Sequence, residues 1–487
     1  MPNLAAYPKP FLTLNPFDPA CQALAIGSQR HTLFLDEPAT REGPVGQNSP
    51  LRQDILSGDI ERVKVFLSNY KSPCARSQAL QLAADGGHSD CVKLLIPMAD
   101  ARSDDSLALR RAAYQGHLEC VKLLIPESDP KSVHSQALAL AASSGNVDCL
   151  AALLPFCDPR GNDSLALAMA AQSGHVACVE LLLRFCQSHE DNFDALCWAA
   201  RNGHCKCVEL LVPASSPTSK SSAPLRLAAR EGHAECVELL IPFSPSIDDR
   251  SAALAAAASA GRVGCVKILI PASCPQALGS QPLCLAAGNG HAECVKLLIP
   301  ESAIEDIQST SLVNAVCAKS PECVRLIVAA AGPNPRGFAG AVLMGVKQKA
   351  TACLRILVSE RAPAKAPLWP PRDAIAAFHR RRALNAALCS SARSGLREAA
   401  QAIVGLATPH GIFFAVNAAL LNGHLATAQD MINLIPKNKL LSLRKSAKAG
   451  GARCADFLDA LIEREALGSA IAPPSAAPVS PHRKSRL

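Results

Sequence analysis

Aromatic residues are scarce in this 487-residue chain: they make up 4% of it, with two tryptophans and three tyrosines, although 49% is hydrophobic. A deep globular core draws on aromatic bulk, so thin helical layers of Leu, Ile, Val and Ala are expected instead. No apolar run reaches the roughly 18 residues of a membrane span, and a soluble protein with no membrane partner is expected. The first 20 residues are broken by Pro2, Pro8, Pro10 and Pro16 and do not form a secretory apolar segment. Charge is not one-sided either. The 49 basic and 41 acidic residues leave +8 spread over the whole length, which makes no footprint for nucleic acid. HExxH, GxSxG and phosphate-loop motifs are missing, and Gly288-Asn289-Gly290 lacks the third glycine and the preceding strand of a dinucleotide fingerprint. No catalytic residue, cofactor or metal is expected, and the chain does not read as an enzyme.

What is abundant is repetition. A glycine followed four residues later by a cysteine recurs every 29 residues, at Gly87/Cys91, Gly116/Cys120, Gly145/Cys149, Gly174/Cys178, Gly203/Cys207, Gly232/Cys236, Gly261/Cys265 and Gly290/Cys294. A fixed period of this length marks a solenoid, whose units bury their apolar faces only against their neighbours. Of the 21 cysteines, nine fall in this slot, counting Cys323. Stacked helical layers lie about 8 to 10 Å apart and a disulfide needs Cα atoms within about 7 Å, so slot cysteines are expected to stay free and buried. That many free thiols suit a reducing compartment such as the cytoplasm.

Residues 1–47 show no helical period and read as a disordered leader. Regular repeats are expected over 48–330, opened by an end unit with Gly58 in register and Arg62 in place of the cysteine. Each unit writes two helices. The first opens at a serine with N-cap chemistry (Ser77, Ser106, Ser135, Ser164, Ser222, Ser251, Ser280, Ser309) and carries paired alanines. Glycine then ends it in a left-handed conformation, and His or Asn begins the second helix, which a proline such as Pro126 closes. Periodicity loosens after Cys323. Degenerate repeats are expected over 331–465, with a Pro-rich insertion at 361–372, Lys319 in one glycine slot, and later units marked by Gly395, Gly423 and Gly450. Residues 466–487 read as a disordered basic tail.

The stretch AAGNGHAECVKLLI at 286–299 resembles the core of an ankyrin repeat, whose pattern runs TPLHxAAxxGHxxVVxLLL, and the likeness recurs at 109–125 and 225–241. The resemblance implies an all-α, ankyrin-like solenoid of stacked helix-turn-helix repeats that binds another protein, as a monomer. Two departures stand out: the period is 29 rather than 33, and TPLH is replaced by sequences such as QALA at 136–139. Short connectors are therefore expected where the family projects a β-hairpin, with alanine-rich packing in place of the TPLH histidine tie. A short-period array behind a leader also resembles bacterial proteins delivered into host cells.

The pairs His88/Cys91, His117/Cys120 and their equivalents share a helical side, but each unit offers at most two ligands where structural zinc needs four. They are read as packing cysteines and helix-start histidines. The resemblance points instead to the two positions before each repeat glycine, which in ankyrin folds face partners on the concave side. These vary while their neighbours do not, and with the residues one turn earlier they nominate Arg110, Tyr114, Gln115, Gln172, Arg201, Asn202, Arg226, Arg230, Glu231 and Asn289 as partner-binding. The basic run at 379–382 is read as solubilising charge, with nuclear import or nucleic-acid contact as its alternative, and Trp369 either as a docking motif or as cover for a gap in the array. The competing architecture makes 331–465 a separate catalytic or metal-binding region for which the repeats only recruit substrate; Cys389, His379 and His410 lie there, but their spacing matches no nucleophile arrangement.

Overall fold

The computed structural model describes residues 54–471, apart from 70, 187–188, 218, 304–309, 332–336, 360–371 and 406. The expected leader, nearly all of the Pro-rich insertion with Trp369, and Ser309 lie outside the described residues. The chain divides into two units, one running to Ala286 and including Lys296–Glu301, the other comprising Ala287–Val295 and Ser302 onward. All regular structure among the described residues is helical.

In the first unit, helices alternate between two layers. One layer stacks Pro73–Asp85, Ser103–Gln115, Ser132–Ser143, Gly161–Ser173, His189–Asn202, Ser219–Glu231 and Ile247–Ser259, each against the next. The other stacks Ile60–Asn69, Ser89–Leu95, Leu118–Leu124, Val147–Leu153, Val176–Leu183, Cys205–Leu211, Ala234–Leu240 and Val263–Leu269 in the same way. Paired alanines explain the close approach in the first layer: Ala83/Ala84, Ala112/Ala113, Ala141/Ala142 and Ala199/Ala200 are wholly buried, with no side chain beyond Cβ to hold the next helix away. In the second layer the buried residues are the slot cysteine, the Val or Leu after it, and a Leu one turn on, as in Cys120, Val121 and Leu124. These short helices, seven or eight residues long apart from the ten of Ile60–Asn69, would be marginal alone and take their stability from the faces they bury. In the first described unit, Arg62 in the cysteine slot is exposed and paired with Asp54 and Asp59.

The connectors are short. Proline after the second helix leads into a single 3-10 turn, as at Ile96–Met98, Val212–Ala214 and Ile241–Phe243, and no hairpin forms among the described residues. Entry to the next first helix is less regular than its sequence suggested. Asp104, Asp105 and Ser106 are all left-handed, with φ of 51°, 55° and 59°, and so are Val133, His134 and Ser135. The repeat serines are not N-caps. The Ser106 hydroxyl accepts from the Asp129 N–H at 2.9 Å, Ser135 from Asp158 at 2.9 Å, Ser77 from Asp100 at 3.0 Å and Ser251 from Cys274 at 3.0 Å. Ser77, Ser106, Ser135 and Ser251, all buried, therefore fasten the connector of the following repeat, with or without a left-handed φ at the serine itself.

The second unit keeps the two-layer plan with less regular sequence. Leu312–Cys317, Phe338–Lys347, Arg372–Arg393, Pro409–Leu421 and Arg444–Ala449 stack in one layer, and Pro321–Ala331, Thr351–Ser359, Arg397–Val404 and Leu425–Ile432 in the other. Lys319 and Lys349 take the glycine's left-handed conformation, with φ of 54° and 56°. At the last turn the left-handed residue is Gly451 and not the expected Gly450, whose φ is −78°. The final helix, Ala452–Ile471, runs past the tail boundary expected at 465 because 466–471 continue its helical pattern; the rest of the tail lies outside the described residues.

Candidate partner-binding ridge

The C-terminal ends of the first-layer helices form a row, and the variable pairs before each glycine sit on it. The row is bound together by a ladder that reaches back 32 residues. The side-chain Nε2–H of His117 donates to the Asp85 carbonyl at 3.0 Å, His175 to Ser143 at 2.9 Å, His204 to Gln172 at 3.0 Å and His233 to Arg201 at 2.9 Å. A carbonyl only accepts, so these contacts fix the proton on Nε2. His88 makes the same bond to Leu56 at 2.6 Å, Asn146 serves the Ala113 and Tyr114 carbonyls, and Arg262 Nε donates to Arg230 at 3.1 Å. Carbonyls in the last turn of a helix have no partner within it, and each unit supplies one to its predecessor.

The same side chains explain the glycines a second time. Gly203 has a φ of 79°, and a Cβ there would lie 2.7 Å from Cγ and Cε1 of the His233 ring. Gly87, Gly145 and Gly174 stand in the same relation to His117, His175 and His204, so the position needs both a left-handed backbone and an empty Cβ site. Alanine packing was expected to replace the missing TPLH histidine. The alanines do pack, but a hydrogen-bonded tie persists through the other histidine of the pattern. The His-x-x-Cys pair is divided between two tasks, with the histidine on the preceding repeat and the cysteine in the core. Burial raises the slot thiols, to about 11 at Cys120, Cys178 and Cys207. No group of three metal-capable side chains converges among the described residues.

The nominated residues separate into three groups. Arg110 is not a surface anchor: it is 7% exposed, and its guanidinium donates to Gln136 Oε1 at 2.6 Å and to the Asp104 carbonyl at 2.8 Å, holding the left-handed turn. It shares a helical face with Tyr114, but one turn inward that face is covered by the adjacent repeat. Arg226 holds the equivalent position and is half-buried. Tyr114 and Gln172 are half-buried at the rim, while Gln115 is exposed and donates to Asp85 Oδ1 at 3.2 Å. Arg201, Asn202 and Glu231 come together, lining one shallow dip with His204 and His233. Within and beside it, Arg201 lies over the Trp198 ring at 5.4 Å, Asn202 donates to the Gln172 carbonyl at 2.7 Å, and Arg230 pairs with Glu231 at 3.0 Å. Asn289 is exposed and belongs to the second unit. The two dip-lining histidines were absent from the sequence-based set, although their recurrence every 29 residues beside the nominated pairs was a signal for them.

The ankyrin-repeat family model, described as Ankyrin repeats (3 copies), matches residues 51–137, 138–221, 196–277 and 272–336, more than half of the chain. The chain belongs to the ankyrin repeat family. Ankyrin repeats generally mediate protein–protein interaction and are generally non-catalytic. Among solved structures, the human ASB11 ankyrin repeat domain is 26% identical, covering 39% of this chain and 96% of that one with a TM-score of 0.35. A circular tandem repeat protein with novel repeat topology is 13% identical, covering 93% of this chain and 99% of that one with a TM-score of 0.14. At these scores neither superposes well as a whole, and the assignment rests on the family model. No curated protein matches the sequence. In this ankyrin array the described connectors are short turns, several of them 3-10, where the family usually projects a hairpin. The region beyond residue 336 is outside the family match. There Cys389 directs its thiol to the Gly411 carbonyl at 3.8 Å and is raised by burial, while His410 packs edge-on against Phe414 at 4.7 Å. Arg381 and Arg382 of the basic run are exposed. No helix among the described residues is long and apolar enough to cross a membrane.

Proposed function

We propose that this ankyrin array is a non-catalytic docking protein whose partner, another protein, lies along the row of first-helix ends in the first unit. One observation carries the reading: variable polar and aromatic side chains stand on a framework of invariant geometry. The His ladder and the glycine turns fix the backbone at each step, while the side chains at 114–115, 172, 201–202 and 230–231 differ from repeat to repeat. The dip lined by Arg201, Asn202 and Glu231 is the centre of that surface. Arginine and tyrosine on a pre-ordered backbone suit a binding hot spot, because little side-chain or loop ordering remains to oppose association. The partner set is thus Tyr114, Gln115, Gln172, Arg201, Asn202, Arg230, Glu231 and, on the second unit, Asn289, with Arg110 and Arg226 supporting from behind.

The thiol of Cys389 has the opposite character to an activated nucleophile, since burial disfavours its thiolate. That supports a binding role for 331–465 over a catalytic one. None of the 20 described cysteines forms a disulfide, in keeping with work as a monomer in a reducing compartment such as the cytoplasm, whether made there or delivered into a host cell. The test is quantitative capture from cell extract by the full chain and by a Tyr114→Ala/Arg201→Ala/Arg230→Ala variant of matched melting temperature. Loss of at least one specific interactor by about 30-fold is expected from hot-spot truncation. Retention of every interactor by the variant refutes the ridge as the docking surface.

A further inference from the structure

One cysteine of the first unit stands outside the repeat slot and touches another inside it. Cys205, at the start of Cys205–Leu211, has its Sγ 2.9 Å from the Sγ of Cys236 in the following repeat's Ala234–Leu240 helix. Slot cysteines themselves are a whole layer apart, but Cys205 sits two residues before the slot residue Cys207, where its side chain bridges the step. In other repeats the same position holds Ser89, Leu118, Val147, Val176, Ala234, Val263 or Ala292, none of which carries a thiol. Here alone in the regular array, a thiol faces the next repeat's thiol.

We propose that Cys205 and Cys236 form a redox modification site, which a peroxide converts into a disulfide linking two adjacent repeats. A disulfide bond is about 2.05 Å long, so the sulfurs need to close by less than about 1 Å. Cys205 is partly exposed and meets the oxidant, whereas Cys236 is fully buried. Burial, together with the contact from Cys205, also pushes the Cys236 thiol well up, which leaves it as the resolving partner. The Cys205 thiolate attacks one oxygen of hydrogen peroxide, the O–O bond breaks, and the first water leaves once the released hydroxide is protonated. The resulting sulfenic acid is attacked by the Cys236 sulfur; the S–S bond forms, the S–O bond breaks, and the hydroxide leaves with the second thiol proton as another water. Two thiols lose two electrons in total, and peroxide is reduced to two waters. A reducing compartment reverses the link by thiol exchange, as suits a switch and not a permanent staple. The link fixes the step between the helices that follow His204 and His233, and it stands whether or not a partner docks above.

The test uses the full reduced chain exposed to graded hydrogen peroxide, then alkylated under denaturing conditions, digested with trypsin and read by mass spectrometry. Cleavage after Arg201, Lys206 and Arg230 separates Cys205 in peptide 202–206 from Cys207, and places Cys236 in peptide 231–250. The expected result is loss of the alkylated forms of 202–206 and 231–250 in step, with a linked pair appearing that dithiothreitol removes. Cys205→Ser should abolish the pair and Cys207→Ser should leave it. Recovery of Cys205 as sulfinic acid, sulfonic acid or unlinked thiol with Cys236 still fully alkylated overturns the proposal. So does a linked pair that forms equally in the urea-unfolded chain.

Discussion

A close coupling between neighbouring repeats joins a glycine to the histidine 30 residues on, and it gives a double-mutant prediction. Gly203→Ala must hold alanine at φ 79°, a left-handed conformation that costs an L-residue about 1–2 kcal/mol. Its methyl would also stand 2.7 Å from two atoms of the His233 ring, so the ring must leave and give up its bond to the Arg201 carbonyl, a further loss of about 0.5–1.5 kcal/mol. The single substitution is therefore expected to cost about 1.5–3.5 kcal/mol, and His233→Ala alone about 0.5–1.5 kcal/mol. In the double variant the methyl meets no ring, and the histidine bond is lost once, not twice. It should cost no more than Gly203→Ala alone, a coupling of about 0.5–1.5 kcal/mol. Trp198 reports locally, since it packs against the cluster of Phe193, Cys197, Ala223 and Leu227 in the helices flanking this step. A Trp369→Phe background leaves it as the single tryptophan, and urea titration by its fluorescence gives the four stabilities. Additive losses would refute the claim that the glycine exists partly to admit the ring.

Ser135→Ala removes the acceptor of the Asp158 N–H and should destabilise the array by about 1–3 kcal/mol, with faster hydrogen exchange at the Asp158 amide as the site-specific readout. Thiol labelling at pH 8 should modify exposed Cys74 and Cys274 first and spare Cys120 and Cys157, whose thiols are raised by burial to about 11 and about 12; early labelling of Cys157 would contradict its burial. In the second unit, the side-chain bond from Arg397, helped by one from Gln401, holds the Asp430 carboxyl below its ordinary value of 3.8 against the opposing effect of burial. A depressed carboxyl stabilises fully above that ordinary value and loses its contribution as pH falls through the lowered one, so Asp430→Asn should flatten the acid limb of the melting profile. An unchanged acid limb would show that the pair, with Arg397 more than half-exposed, is too well screened to matter.

Much of this architecture could be read without coordinates because each repeat encodes its own two helices. The alanine pair, the left-handed glycine and the Cys-Val-x-x-Leu stripe are local signals, and a 29-residue period leaves one way to bury them all: against copies of themselves. The variable pairs were legible for the same reason, as variety inside monotony. Side-chain partners were not. Ser106 looked like a helix cap, but its hydroxyl accepts from the Asp129 amide in the following repeat's connector. Arg110 looked like an anchor beside Tyr114 until the adjacent repeat covered it and Gln136 claimed its guanidinium.

The sequence by itself determined that this is an all-helical ankyrin array, with a 29-residue period in its regular part, and which faces are apolar, since these depend on backbone propensities and spacings within one unit. Only the tertiary structure decided what crosses between repeats: histidine to a carbonyl 32 residues back, serine to an amide 23 ahead, and Cys205 to Cys236. Those contacts depend on how far each layer is shifted and rotated on the last. A displacement of one ångström makes or breaks a hydrogen bond yet leaves the hydrophobic pattern unchanged.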